Sequence, residues 1–197
     1  MHPLIVQSQF HAIVLYVTMT VCFGPEWIGS FIQRPEQGAT NRDRGSHLVL
    51  LVAVGLGIAA GFVLVNGFPA GTLGWEQAFQ FWTGIAVMLS GFGFRWYAIR
   101  ALGRFFTRDV ATRPGQYVVE TGPYRWIRHP SYSGTLAMLL GTGLAMTNWA
   151  SLLAILLGAL VGHAYRVRVE EQVLCRDLGE AYREYVRRTR RFIPFVW

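Results

Sequence analysis

Three residues in the last quarter of the chain, His163, Arg166 and Glu170, follow one another at spacings of three and four. On a helix that spacing stacks them along one face, with Glu171 turned about 100° away. Arg and Glu at i, i+4 form a salt bridge worth a few tenths of a kcal/mol on a solvated face, or they serve the two ends of a ligand pair that carries both charges. Arg before Glu is the poorer order for helix stability, which favours the second use. On this reading Glu171 is a bystander whose loss is mild. A second group of chemically able residues lies in the segment 116–134, where Gly122-Pro123 and His129-Pro130 punctuate a run rich in aromatics and Arg. Pro denies regular helix there and Gly permits close backbone approach, so the run reads as an ordered loop. Its composition suits contact with lipid headgroups, but His129 between Tyr124 and Tyr132 calls for a more specific role. Cys22 and Cys175 are far apart and show no metal-ligand spacing, so neither a disulfide nor a metal is expected.

The elements that must position these residues are apolar. Of 197 residues 52% are hydrophobic and only 15% charged, and the mean hydropathy is +0.31. That excludes a disordered or fibrous chain and favours a small multi-pass membrane protein. Four apolar regions stand out, residues 4–23, 48–65, 78–94 and 134–165. The first lacks the flanks of a cleaved signal and reads as a retained span. The second rises roughly 27 Å as a helix, close to a bilayer core of about 30 Å. The fourth is too long for one crossing at roughly 48 Å, and Thr147-Asn148-Trp149 within it suits a turn at the headgroups. The expectation is an all-α integral membrane fold of five spans whose last two form a helical hairpin, with no Rossmann domain. Residues 1–100 hold three spans, and residues 101–197 the loop, the hairpin and a C-terminal amphipathic helix.

Charge placement supports the count. All 18 basic residues are Arg, against 11 acidic ones: three lie in 24–47, seven in 95–133 and eight from 166 onward, with none in 66–77 or at 147–149. Five spans put every Arg on one side, the cytoplasmic one, with the N-terminus outside. The Arg excess follows the membrane rule and gives no case for nucleic acid. The tail 183–191 reads as an amphipathic helix on anionic lipid. Gly57/Gly61 and Gly158/Gly162 are small-xxx-small pairs for helix packing, and the Gly55-Leu-Gly run is packing sequence, not a dinucleotide loop.

The run Gly-Pro-Tyr-Arg-Trp-Ile-Arg-His-Pro-Ser-Tyr-Ser-Gly over 122–134, followed by Glu170-Glu171, Leu174, Gly179-Glu180, Tyr182, Tyr185 and Ile193-Pro194, resembles the isoprenylcysteine carboxyl methyltransferase family. The likeness runs from about Leu102 to the C-terminus. It implies an integral-membrane enzyme that moves a methyl group from S-adenosylmethionine to the carboxylate of a lipid-like, isoprenylcysteine-type acceptor. Carried over by position, it implies cofactor contacts from Gln116, Tyr117, Val118, Val119, Tyr124, His129, Pro130, Ser131, Tyr132 and Glu170. Arg166 is the implied catalytic partner of the acceptor carboxylate, and Arg128 a second substrate-binding residue. Asp109 stands where relatives carry a neutral amide, and Gln116 where some carry His. His163 reads as a satisfied intramembrane histidine more than as a base. The rival activities are methylation of a phospholipid or other small lipid, sterol reduction, which the short length and the Glu pair disfavour, and a non-catalytic membrane scaffold.

Overall fold

The computed structural model describes residues 2–32, 43–74, 76–107, 110 and 112–193. Its helices are α1 (Leu4–Gln7), α2 (Gln9–Ile32), α3 (Ser46–Gly67), α4 (Gln77–Leu102), α5 (Pro130–Ala145), α6 (Trp149–Asp177) and α7 (Gly179–Arg188). Among the described residues there is no β-strand, only two isolated bridges, Thr72 with Asn148 and Ile127 with Arg190. The apolar region expected at 4–23 is broken at Ser8, whose backbone is extended. The Ser8 hydroxyl meets the His11 ring nitrogen at 2.7 Å, the local side-chain bonding that favours Ser at a helix start. From there α2 runs through Pro25 to Ile32, and α4 runs eight residues past the expected end at Phe94.

Missing side chains set two close helix contacts. A Cβ on Gly57 would come within 3.0 Å of the Ala154 carbonyl of α6, and one on Gly61 within 3.1 Å of Ile155. The antiparallel pair α4 and α5 does the same with glycines seven apart: a Cβ on Gly91 would sit 2.8 Å from the Gly134 carbonyl, and one on Gly141 2.5 Å from that of Gly84. Close backbone approach of this kind substitutes for the hydrophobic driving force that helices in lipid lack. The core between the pairs contains Leu15, Phe81, Met88, Met138 and Ile155, all at most 1% exposed.

Between α5 and α6 the chain turns through Thr147, at a φ of 52°. Asn148 caps α6 by accepting from the Ser151 amide at 3.0 Å, and its own amide donates to the Phe68 carbonyl at 3.0 Å. The turn is therefore tied to the end of α3. Two helices, Ser46–Gly67 and Trp149–Asp177, are long and apolar enough to cross a membrane. Large apolar side chains such as Phe10, Val17, Leu56, Val63, Leu157 and Val161 face outward, which suits a hydrocarbon surround.

Candidate active site

The loop 116–132 reaches its shape through a few local devices. Gly122 takes φ +56°, and a Cβ there would stand 3.0 Å from the Tyr97 hydroxyl. A 3-10 turn, Gly122–Arg125, follows and buries Tyr124. His129 then precedes α5 with Pro130 in its first turn, where a missing N–H costs nothing. The Gln116 side chain accepts from the Arg113 amide at 2.8 Å, closing a turn that leads into the irregular stretch 117–119.

Two nodes meet below this loop. In the first, the Tyr132 hydroxyl donates to Glu170 Oε2 at 2.7 Å and accepts from Arg166 Nε at 3.1 Å. The His129 ring stacks on Tyr132 at 5.5 Å. Arg166 is 2% exposed; its Nη1 donates to Asp43 Oδ1 and, at 2.7 Å, to the Ser46 hydroxyl. The solvated Arg–Glu face weighed from sequence is thus absent: Arg166 is interior and joins Glu170 through a phenol. Asp43 also accepts from the His47 amide at 3.0 Å and from the Ser46 hydroxyl at 2.8 Å, tying the start of α3 to α6. Burial works to raise its pKa, but the bonds from His47 and Ser46 and the Arg166 charge outweigh that and hold the carboxyl below its ordinary value.

The second node gathers around Glu171, which is 13% exposed on its side chain. It accepts from Arg128 Nε at 2.9 Å and Arg191 Nη2 at 2.9 Å, with His129 Nε2 at 3.4 Å. Arg128 Nη1 further donates to the carbonyls of Val186 at 3.1 Å and Thr189 at 2.5 Å. The chain after α7 lies along the loop, the Arg128 amide donating to Arg190 O at 2.7 Å and the Ser133 hydroxyl to Phe192 O at 2.6 Å. Tyr185 of α7 donates to Tyr124 O at 2.6 Å. Burial first, then the nearby Glu170, pushes the Tyr124 and Tyr182 phenols above their ordinary range, so both stay protonated donors. Glu171 is therefore no bystander. The helical phase read from sequence holds, but the returning tail covers the side that the phase alone leaves to solvent.

A cavity of about 810 Å³ opens beside the first node. Gln116, Tyr117, Val118, Val119 and Tyr124 from the loop, and Arg128, His129, Ser131 and Tyr132 at the start of α5, line its polar end together with Arg166 and Glu170. Pro130 is buried in the first turn of α5 and is not on the wall, and Asp109 lies outside the described residues. An apolar limb continues between α2 and α3 past Met19, Phe23, Leu51, Val54 and Ile58. His163, 2% exposed, lines the cavity too; its Nδ1 donates to the Ala159 carbonyl at 2.8 Å while Nε2 has no hydrogen-bond partner among the described residues. The satisfied histidine expected from sequence is satisfied at one nitrogen only. Sequence reasoning missed Asp43, Arg95 and Arg191, and named Tyr182 only as a motif residue without a place in the site. Arg95 is buried with Nη1 donating to Ser131 O at 3.1 Å, and Tyr182 closes the cavity from α7. Only Asp43 had a local signal, an acid just ahead of an apolar helix, and that signal speaks of capping alone. No cluster of metal-ligating side chains occurs among the described residues.

A family model described as phospholipid methyltransferase matches residues 79–181. Over 115 residues the chain is 34% identical to protein-S-isoprenylcysteine O-methyltransferase B of Arabidopsis thaliana, covering 57% of this chain and 58% of that protein. The corresponding Saccharomyces cerevisiae protein is 32% identical over 115 residues, covering 57% and 48%. This chain thus spans about half the length of the curated relatives it matches. A solved eukaryotic intramembrane Ras methyltransferase, an isoprenylcysteine carboxyl methyltransferase, superposes with a TM-score of 0.61 at 23% identity, covering 97% of this chain and 64% of that one. The likeness establishes a shared helical fold.

Proposed function

From the premise that this membrane protein belongs to the phospholipid methyltransferase family, we propose that it transfers a methyl group from S-adenosylmethionine to the carboxylate of an isoprenylcysteine-like lipid, giving a methyl ester. The observation that carries the reading is the two-ended cavity, with Glu170, Tyr132 and Arg166 at one end and an apolar limb between α2 and α3 at the other. A ligand with a charged head and a long apolar tail matches both ends at once.

The residues present fit the cofactor. Tyr117, Val118, Val119 and Tyr124 offer an aromatic and aliphatic wall for adenine, and His129, Ser131 and Tyr132 border it. The Glu170 side chain is 27% exposed and takes one bond from Tyr132, leaving acceptor capacity for an amino group. When bound, the sulfonium supplies an activated methyl group. That methyl group would pass to a carboxylate oxygen held near Arg166, with the electron pair of the S–CH₃ bond left on sulfur. No proton moves, so the site needs neither metal nor general base. Its work is orientation, which supplies up to about 7–11 kcal/mol for well-aligned partners, and exclusion of water as opposite charges are neutralised.

Arg166, held by Asp43 and Ser46 at Nη1 and by Tyr132 at Nε, serves the acceptor carboxylate by its charge at the polar end of the cavity. Arg128 stands second, lending charge at the cavity wall while its Nε and Nη1 hold Glu171 and the tail. In the bilayer we place five crossings, with all 18 Arg and the site on the cytoplasmic side and the N-terminus outside. The test is to incubate purified protein and methyl-labelled cofactor with N-acetyl-S-farnesylcysteine and with native lipid extract. A base-labile methyl ester is expected. A base-stable methylamine on a phospholipid overturns the carboxylate reading, and absence of saturable cofactor binding ends the enzyme reading altogether.

A further inference from the structure

The four glycines of α3 fall into different classes by what a side chain would meet. Gly57 and Gly61 press on α6, where a Cβ would come within 3.0 and 3.1 Å of its atoms. Gly55, two residues from that contact, has nothing within 4 Å of the place its Cβ would occupy, and its φ is ordinary. Neither packing nor turn geometry calls for glycine there, in a helix interior where glycine is a poor former. Gly55 does lie on the cavity wall, and so does Gly24 of α2, whose Cβ position is equally open.

The two face each other in depth. Tyr16 of α2 stacks on Phe62 of α3, ring centroids 5.6 Å apart and planes at 16°, and marks one shared level on the two helices. From that level Gly24 lies eight residues along α2 and Gly55 seven back along α3, or about 12 and about 11 Å at the helical rise. Ser46, which bonds Arg166, marks the polar end, and Gly55 lies nine residues beyond it, about 14 Å. Two side-chain-free positions therefore stand at one depth on opposite walls of the apolar limb, continuous with the polar site.

We propose that Gly24 and Gly55 form the passage through which the acceptor's isoprenoid chain threads, and that they admit chains long enough to pass about 14 Å beyond the carboxylate partner. The proposal rests on the isoprenylcysteine reading above and names the part of the site that selects chain length. A side chain placed at either position blocks what lies deeper and leaves the polar end untouched.

The test uses the full-length protein in detergent with N-acetylcysteines carrying S-geranyl, S-farnesyl and S-geranylgeranyl chains. Gly55→Leu and Gly24→Leu are each expected to lower kcat/KM at least tenfold for the two longer chains and less than twofold for the geranyl acceptor, with cofactor affinity and Tm held. Gly55→Ala is expected to show the same order with a smaller loss. An equal factor for all three chain lengths, or no change, overturns the passage. Should the wild-type protein methylate none of the three, the carboxylate reading fails by itself, and the passage is then judged on the rise in Tm that each compound produces on binding. Loss of that rise for the long chains alone in Gly55→Leu supports the passage, and an unchanged rise overturns it.

Discussion

Glu170 and Glu171 are neighbours on α6, yet their surroundings differ in kind. Glu170 is 27% exposed, borders the cavity and takes a bond from one neutral phenol, with His129 Nδ1 at 3.8 Å, whereas Glu171 is 13% exposed and is held by Arg128 and Arg191, with His129 Nε2 at 3.4 Å. One residue step turns a side chain by about 100°, and here that step separates a carboxylate with capacity left for a ligand from one already saturated by its own chain. Burial and charge alone would rank Glu171 as the more important residue. The distinction between the two lies in what remains to be bonded.

The largest effect that sharpens this contrast is expected at Arg166. Replacing it by Ala leaves Asp43 buried without its cation, a loss of about 3–5 kcal/mol in stability, together with loss of turnover. Arg166→Lys is expected to recover part of the stability and little of the activity, because an ammonium cannot bond Asp43, Ser46 and Tyr132 along one planar fork. Thermal unfolding and initial rates on the same preparations separate the two; a fully active Lys variant would remove Arg166 from the acceptor site.

Glu171→Ala comes next, with a stability loss of about 1.5–3 kcal/mol from charge-assisted bonds and release of the segment after α7 to protease. Glu170→Gln is expected to change the melting temperature little and to weaken S-adenosylmethionine binding about tenfold to hundredfold, the cost of one charged hydrogen bond. If titration finds the cofactor lost in the Glu171 variant and kept in the Glu170 variant while both stay folded, the two roles are exchanged.

Asp43 gives the comparison a pH axis. Its pKa is held below the unfolded value, so its contribution is full above about pH 4, the unfolded carboxyl value, and disappears as pH falls through the lower folded value. Asp43→Asn is expected to flatten the acid limb of stability measured by denaturant unfolding between neutral pH and that range. An acid limb identical to wild type would show that the Arg166 node does not depend on this charge.

What was legible in the sequence follows the range of the interaction. The helical character of the apolar segments, the turn at Asn148, and the Gly57/Gly61 and Gly158/Gly162 contacts are local or periodic and appear in the structure, the first segment with a break at Ser8. Apart from Pro130, the loop and α6 residues flagged for the site also line one cavity. Asp43 was opaque, since its bond to Arg166 spans 123 positions and its local sequence announces only a helix start. The bridge from Ile127 to Arg190 was equally opaque, because a run of Arg reads as lipid-facing until a backbone partner is known. The error over Glu171 comes from the same place: helical phase gives direction, and only the path of a distant segment decides whether that direction is solvent.

The smallest expected effect tests whether the contrast is one of burial or of charge pairing as such. Arg188 and Glu120 also join the tail to the loop, at 3.1 Å, but with side chains 54% and 43% exposed. Arg191 and Glu171 join the same tail to α6 at 2.9 Å, with Glu171 only 13% exposed. In water the exposed pair gains little over two solvated ions and must order two long side chains, so Glu120→Ala is expected to cost under about 1 kcal/mol and leave methyl transfer and protease resistance near wild type. Raising ionic strength should shrink even that difference, since exposed charges are screened over about 10 Å at 0.1 M salt, while the Glu171 effect should persist. The two substitutions measured side by side at low and high salt decide the matter. Equal losses would mean that the tail is held by its total charge, and the saturated node around Glu171 would lose its special place.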